Sequence, residues 1–450
     1  MSSFYHDLAA DAGTPYWLYD EAVLQRRLSN IAWLTEGPGL QPRFAMKACP
    51  ATRVLAAMRS HGLWIDAVSG NEVLRARHAG FAGGNDPPQI LFTSDAWRDN
   101  ALAVIQQERI LPNLGSPGMV EMLRQAGYRG PIALRVNPGF GHGHVNTCDT
   151  GGPSAKHGIW HEDLPAVAGA AAAAGLRVVM LHAHIGSGPQ PAELLHNWQC
   201  LAAAFETLLP LFPEATAVNL GGGLPFNYRA AEGREAWLPD LRDLLVQIAG
   251  RLARAAGQAG LRVEIEPGRY LMAPVGTLVT RVLDVKRTRG DARGPGVTFV
   301  MVDAGFNDLL RPALYGAHHA LQVLRGEADE PVTGEVAPVV VAGPLCEAGD
   351  VFTREANGLL APRLLPCPQP GDLLLIHDVG AYGYAMSSTY NSFGPAPQFW
   401  RTSGGEAQLM SRRGTLADLL RLEPGSPPFP HQHQSPVSHP SSLSRFSMPP

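Results

Sequence analysis

One recurring pattern constrains this chain most: a short apolar run that stops at Gly, Pro, Ser, Asp or Asn and gives way to a helical pattern or a loop. Eight such runs follow one another, from Arg43 to Ala48, Leu63 to Val68, Gln89 to Thr93, Arg109 to Asn113, Ile132 to Asn137, Val178 to His184, Ala217 to Leu220 and Arg262 to Glu266. Runs this short and rich in Val, Ile and Leu suit strands buried on both faces. Thr52 to Ser60, Leu194 to Leu209 and Leu241 to Ala259 suit the crossover helices between them. Eight strands alternating with helices across about 230 residues predict an α/β fold, a (β/α)8 TIM barrel, whose chemistry belongs at the C-terminal strand ends.

Beyond Arg269 the rhythm changes to segments such as Thr298 to Val302, Val339 to Val341 and Asp372 to Ile376, separated by Gly/Pro turns without long helices. This predicts a C-terminal all-β domain. The expected organisation is an N-terminal segment, 1–36, joining the β domain through Tyr16 to Tyr19; the barrel, 37–278; the β domain, 279–422; and a disordered Pro/Ser/His-rich tail, 423–450.

Composition narrows the function classes. A hydrophobic share of 45% with 17% charged residues describes a globular protein. The net charge of -4 supplies no basic field for a polyanion, so no nucleic-acid partner is expected. The longest nearly apolar stretch, Ala166 to Leu176, is about half the ~20 residues a membrane span needs, and Met1 to Asp11 lacks the cationic and apolar regions of a signal peptide. The expectation is a cytoplasmic protein with no membrane partner. Five cysteines without a CxxC pair argue against both disulfides and a zinc site, and His431 and His433 in the tail lack further ligands. No metal is expected.

Several polar residues follow the apolar runs. Lys47, in Phe44-Ala-Met-Lys-Ala-Cys49, either snorkels to solvent or sits desolvated with a lowered pKa suited to Schiff-base chemistry. Asn219-Leu-Gly-Gly-Gly-Leu224 is either a tight turn or a phosphate cradle of backbone N–H groups. Glu266-Pro-Gly-Arg269 offers an acid able to face a pyridinium nitrogen and a cation suited to phosphate or carboxylate; alone it would read as a surface salt bridge and turn. In His182-Ala-His-Ile-Gly-Ser-Gly188 the two histidines share a side by strand alternation, which would suit a metal pair, but no further ligand is near. A ring of His184 stacked on a planar cofactor, with Ser187 donating to a phosphate, explains the small neighbours better, and His182 reads as a hydrogen-bonded core histidine.

Taken together and in order, these motifs resemble the fold-type III, pyridoxal 5'-phosphate (PLP)-dependent amino-acid decarboxylases, and among them the diaminopimelate decarboxylases. The resemblance also rests on Asn137-Pro-Gly-Phe-Gly-His-Gly-His144, Ser154-Ala-Lys-His-Gly158, Val302-Asp-Ala-Gly-Phe-Asn-Asp308, Arg311-Pro-Ala-Leu-Tyr-Gly316, Gly343-Pro-Leu-Cys-Glu347, Gly349-Asp-Val-Phe352, Gly380-Ala-Tyr-Gly383 and Met386-Ser-Ser388, and runs from Gly13 to Leu422. It implies that Lys47 carries PLP, that His184 stacks on its ring, that Glu266 pairs with the ring nitrogen, and that Ser187, Gly222, Gly223 and Arg269 surround the phosphate. It further implies substrate contacts from Arg269, Arg311, Tyr315 and Glu347, contact of Tyr382 with both cofactor and substrate, and Cys346 as proton donor. Cys346 and Glu347 would come from a neighbouring subunit, making the active unit a homodimer with shared sites. Pro50, Tyr384 and Phe393-Gly394 depart from the family pattern at the pocket rim.

The implied reaction is decarboxylation of meso-2,6-diaminopimelate to L-lysine, the last step of lysine biosynthesis. The residue types fit it: the distal end of that substrate carries an ammonium and a carboxylate, and Glu347 with Arg311 offers one partner for each. A thiol with a pKa of about 8.5 is protonated at neutral pH and can reprotonate the α-carbon. The alternatives are a sister decarboxylase for ornithine, arginine or a carboxylated polyamine or siderophore precursor, and a PLP-free binding protein. A racemase on this fold would place a tyrosine, not a thiol, opposite the lysine.

Overall fold

The computed structural model describes residues 3–141, 150–188, 190–230, 234–292, 294–326 and 329–424. The tail from 425 onward, with His431 and His433, and the stretch His142 to His144 lie outside the described residues. The chain divides into two compact units, Arg26–Leu271 and the described residues of Met1–Gln25 with Met272–Pro450.

The first strand, β1 (Tyr16–Asp20), belongs to the second unit. The barrel is the first unit. It is formed by β2 (Leu40–Ala45), β3 (Trp64–Ala67), β4 (Ile90–Ser94), β5 (Leu111–Leu114) and β6 (Pro131–Asn137), then, past the short β7 (Ile159–Trp160), by β8 (Arg177–His182), β9 (Ala217–Asn219) and β10 (Arg262–Ile265). All neighbours run parallel in the order β5-β4-β3-β2-β10-β9-β8-β6, and the β5–β6 pairing closes the ring. The expected (β/α)8 barrel is therefore present, each of the eight apolar runs supplying one strand. Burial on both faces explains why those runs read as continuous rather than alternating.

Long helices Pro191–Leu208 and Leu238–Ala255 take the crossover role, the second burying Leu241, Leu244, Leu245, Ile248 and Leu252 at helical spacing. Inside the barrel an ion pair replaces part of the usual apolar filling. Arg43 and Glu264 are both fully buried and paired by two hydrogen bonds, one of them from Nη2 to Oε1 at 3.0 Å. Arg43 also donates to the carbonyls of Ile65, Gln89 and Pro88, so its donors are used and its charge is matched. Trp64 is flanked by the guanidinium groups of Arg43 and Arg262, at 4.8 and 5.0 Å from its ring.

The second unit is built on a twisted, mostly antiparallel sheet. Its other strands are β11 (Gly276–Arg287), β12 (Thr298–Val302), β13 (Leu321–Arg325), β14 (Glu330–Pro331), β15 (Val336–Ala342), β16 (Arg363–Pro366), β17 (Leu373–Ile376), β18 (Gln398–Arg401) and β19 (Ala407–Ser411). The main path runs β14-β13-β17-β11-β1-β18-β19, with β12, β15 and β16 branching from β11. β1 pairs antiparallel with β11 and parallel with β18, which ties the start of the chain to its far end. Leu8 and Ala9 of the helix Phe4–Ala12 pack on Tyr16, Leu18, Val279 and Phe399 of this sheet.

Candidate active site

Seven of the residues singled out in the sequence stand at the C-terminal ends of the barrel strands. Lys47 lies in the single 3-10 turn Met46–Ala48 directly after β2. His184 and Ser187 follow β8, the glycines follow β9, Glu266 follows β10, and Arg269 opens the short helix Arg269–Met272. In a parallel barrel these ends share one mouth, so the topology alone gathers groups far apart in the chain.

The glycine loop is shaped for close approach. Gly221 has φ +71°, and a Cβ there would lie 2.5 Å from the Ala183 carbonyl oxygen and 2.7 Å from Cβ of His184. A Cβ on Gly222 would meet the Glu266 carbonyl oxygen at 2.7 Å. Only glycine leaves both contacts open. The N–H of Gly222 donates to Nδ1 of His184 at 3.2 Å, so the imidazole proton sits on Nε2, which faces Ser187 Oγ at 3.2 Å. Having accepted there, the Ser187 hydroxyl can direct its own proton elsewhere. Burial first, and then the positive charges of Lys47 and Arg135, hold the His184 pKa well below its usual value. The ring is neutral at physiological pH.

Glu266 is the buried anion of the site. Burial opposes its ionisation, but His182, through charge and hydrogen bonding, together with Lys47 and His184 outweighs that and holds the carboxyl below its ordinary range. Its Oε1 accepts from Nδ2 of Asn219 at 2.8 Å, and His182 Nε2 stands 3.3 Å away. Burial pushes the Asp66 carboxyl up, as does the charge of Glu266, against the pull of Lys47. Glu72 is likewise raised, by burial, with Lys47 again pulling the other way. It is fixed by the start of the helix Gly70–His78, where the N–H of Val68 donates to Glu72 and Ser69 Oγ accepts the N–H of Glu72. Lys47 is thus surrounded by ionisable groups rather than by water alone.

Arg269 donates to the Tyr228 hydroxyl at 3.2 Å. At the same mouth Asp95 accepts from Arg135 Nη1 at 3.4 Å and from the N–H of Gly158 at 3.1 Å, and it pairs with His157. These contacts hold its carboxyl down against burial.

The other five candidates belong to the second unit. Arg311 is buried, its Nη1 3.4 Å from Nε2 of His319, and Tyr315 lies one turn on in the helix Arg311–Tyr315. Gly316 ends that turn at φ +60° against the backbone of Ala356. Cys346 and Glu347 are exposed in the loop after β15, where Asn391 accepts the N–H of Cys346 at 3.0 Å. Tyr382 holds φ +58°, a region a tyrosine seldom adopts, in the Gly380 to Gly383 turn. Tyr384, one of the departures from the family pattern, packs edge-on against Trp17 at 6.0 Å within the same unit.

Three site groups escaped the sequence reading, Asp66, Glu72 and the side chain of Asn219, and so did one pairing, that of His182. His182 is buried and hydrogen-bonded, but its partner is Glu266. An acid inside an apolar run was the available signal for Asp66. The pairing of His182 and Asn219 with Glu266 depends on strand register, which no single segment encodes.

The residues at the barrel mouth fit a pyridoxal phosphate. Nδ1 of His182 and both carboxyl oxygens of Asp66 are buried without a hydrogen-bond partner among the described residues, and the glycine loop packs too closely on the Ala183 and Glu266 carbonyls to take any Cβ. The donor set is an amine, a neutral ring, an ionised acid, backbone N–H groups, a hydroxyl and a guanidinium.

The sequence pattern described as pyridoxal-dependent decarboxylase, pyridoxal binding domain, matches residues 23–273. The diaminopimelate decarboxylase of Escherichia coli strain K12 is 39% identical over 417 residues, covering 92% of this chain and 95% of that protein. The Streptomyces coelicolor diaminopimelate decarboxylase is 38% identical over 441 residues, 95% of this chain and 94% of its own. A crystal structure of a diaminopimelate decarboxylase superposes with TM-score 0.83 at 37% identity over 94% of this chain and 99% of that one. The Helicobacter pylori enzyme complexed with L-lysine follows with TM-score 0.79 at 28% identity, over 93% and 99%. A chain alike in sequence, barrel and site over this extent belongs to the diaminopimelate decarboxylases, within the pyridoxal-dependent decarboxylases.

Proposed function

We propose that this protein decarboxylates meso-2,6-diaminopimelate to L-lysine, the last step of lysine biosynthesis, with PLP as cofactor. The observation that carries this is the grouping of Lys47, neutral His184 and ionised Glu266 at the barrel mouth beside the Gly221 to Gly223 loop. When bound, PLP supplies an electron sink for the pair left on the α-carbon as carbon dioxide departs.

The chain's own groups do the rest. Lys47 Nζ would hold the cofactor and yield it to the substrate amine, the lysine amine being freed. His184, uncharged, would stack on the cofactor ring without adding a positive charge to it. Glu266, kept ionised, would pair with the ring nitrogen and favour its protonated form. Ser187, the N–H groups of Gly222 and Gly223, and Arg269 bind the phosphate. Arg311, Tyr315 and Glu347 bind the distal ammonium and carboxylate, with Arg269 and Tyr382 at the near end. Cys346 delivers the proton to the α-carbon from its Sγ.

The working unit of this proposal is a homodimer. Cys346 and Glu347 are exposed in the single chain, which suits residues offered to a partner's site. A cytoplasmic location is supported by Cys49, Cys200, Cys346 and Cys367 forming no disulfide, and no helix among the described residues is long and apolar enough to cross a membrane. The test is formation of lysine and carbon dioxide from meso-diaminopimelate by the PLP-loaded protein, with Lys47→Ala as control. Turnover lost in that variant supports the proposal, and equal turnover in both overturns it.

A further inference from the structure

We infer that Asn219 is a positioning residue whose single side-chain amide locks the glycine loop and the Glu266 carboxylate into one register. The inference rests on the proposed roles of that loop and that acid in holding PLP. Asn219 ends β9 and is fully buried. Its Oδ1 accepts the N–H of Gly221 at 2.8 Å, while its Nδ2 donates to Glu266 Oε1 at 2.8 Å and stands 3.4 Å from Glu264 Oε2. The partners leave no other orientation: an N–H can only donate, and an ionised carboxylate can only accept.

The backbone already aligns the two segments. Leu220 donates to the Glu264 carbonyl at 2.9 Å, and Glu266 to the Gly221 carbonyl at 2.8 Å. Those bonds set the height of the loop but do not reach the Glu266 carboxylate, which His182 Nε2 holds from one side at 3.3 Å. Asn219 adds the second hold, and it ties the carboxylate onward to Glu264 and the buried Arg43. No other side chain of this size meets the demand. Aspartate would keep the acceptor for Gly221 but lose the donor and set a further negative charge between two acids. Serine offers one hydroxyl proton, and leucine leaves the Gly221 N–H unpaired and Glu266 with His182 alone. The charged or titratable groups facing Glu266 are His182, His184, Lys47 and Asp66, so Asn219 is a neutral donor in its surroundings.

The experiment measures binding of PLP to the full chain stripped of cofactor, by absorbance and by quenching of intrinsic fluorescence, from about pH 5 to 8. Wild type gives the reference profile across this range, with Glu266 ionised throughout. Asn219→Asp should bind on the order of tenfold more weakly or worse. The ratio of its affinity to that of wild type should also change with pH, since adjacent carboxylates share a proton. The double variant Asn219→Asp with Glu266→Gln should bind more tightly than Asn219→Asp alone, because a Gln amide at 266 can donate to the new carboxylate. A residue of purely structural effect would give additive losses instead. Should Asn219→Asp fail to fold, Asn219→Ser provides the measurement, with an intermediate loss expected. Wild-type affinity with the wild-type pH profile in Asn219→Asp, wild-type affinity in Asn219→Ser, or additive losses in the double variant would overturn the inference. Failure of the wild-type chain itself to bind PLP would overturn the functional reading, and this inference with it.

Discussion

Asp66 and Glu266 are buried carboxyl groups that feel each other and Lys47 inside one barrel, and they are driven to opposite ionisation states. Burial and the charge of Glu266 keep the proton on Asp66, whereas His182, Lys47 and His184 overcome burial at Glu266. One acid is thereby committed to facing a cation and the other to remaining neutral while no cation comes closer. Environments that separate paired carboxyls mark sites built for proton and charge control.

The Asp66 shift has a signature in stability. The unfolded chain releases this proton near pH ~3.9, while the fold retains it, so the group's contribution is intact below that pH. It is lost as pH rises toward the raised folded value. Asp66→Asn should remove this fall. The measurement is the thermal midpoint of the cofactor-free protein between about pH 4 and 8. The variant should show a flatter profile than wild type, and an unchanged slope would contradict the assignment.

Arg43→Ala should destabilise the protein by about 3 kcal/mol, because it removes the fully buried one of Glu264's two guanidinium partners and leaves Arg262 alone to match that carboxylate. Replacing both partners, as Arg43→Met with Glu264→Leu, should recover much of that loss. Denaturant unfolding of the barrel, followed by tryptophan fluorescence, reads both. A double variant less stable than Arg43→Ala would show that packing around Trp64 and the lost Arg262–Glu264 pair, rather than the unmatched charge, dominate.

Gly221→Ala should cripple PLP binding more than it lowers the thermal midpoint. The new Cβ would lie 2.5 Å from the Ala183 oxygen at a left-handed φ, so the loop must move away from His184. Strain of this kind costs about 1–3 kcal/mol. Spectrophotometric titration with PLP tests it, and wild-type affinity in the variant would count against the loop as cofactor cradle.

The barrel was readable because strands buried on both faces leave uninterrupted apolar runs, and its mouth was readable because polar residues follow those runs. What crosses between strands was not. Glu264 in β10 and Glu266 just after it are two residues apart, but only the parallel register of β9 beside β10 brings Asn219 to both. His182 illustrates the same limit, since burial alone cannot tell a core partner from a site partner. Tyr384 looked like a rim feature, and its packing on Trp17 arises from the long-range pairing of β1 within the β unit.

Borohydride reduction of the PLP-loaded protein followed by peptide mapping should label Lys47 alone. The lysine follows β2 directly and is the cation felt by Asp66, Glu72, His184 and Glu266. A label on another lysine would break the proposed geometry at its first step.

Arg311→Ala should depress turnover of diaminopimelate while leaving the absorbance of the bound cofactor unchanged. Arg311 is buried beside His319, outside the barrel unit that holds Lys47. Loss of cofactor binding in this variant would move its role from substrate to scaffold.

The most direct measurement is competition between substrates: kcat/KM of the PLP-loaded enzyme for meso-diaminopimelate, ornithine and lysine under identical conditions. A cation placed for a distal carboxylate is left unpaired by both competitors, which costs several kcal/mol when the site is closed. Diaminopimelate should therefore win by on the order of a hundredfold or more, with L-lysine as product. Ornithine or lysine decarboxylated as well as diaminopimelate would contradict the proposed function.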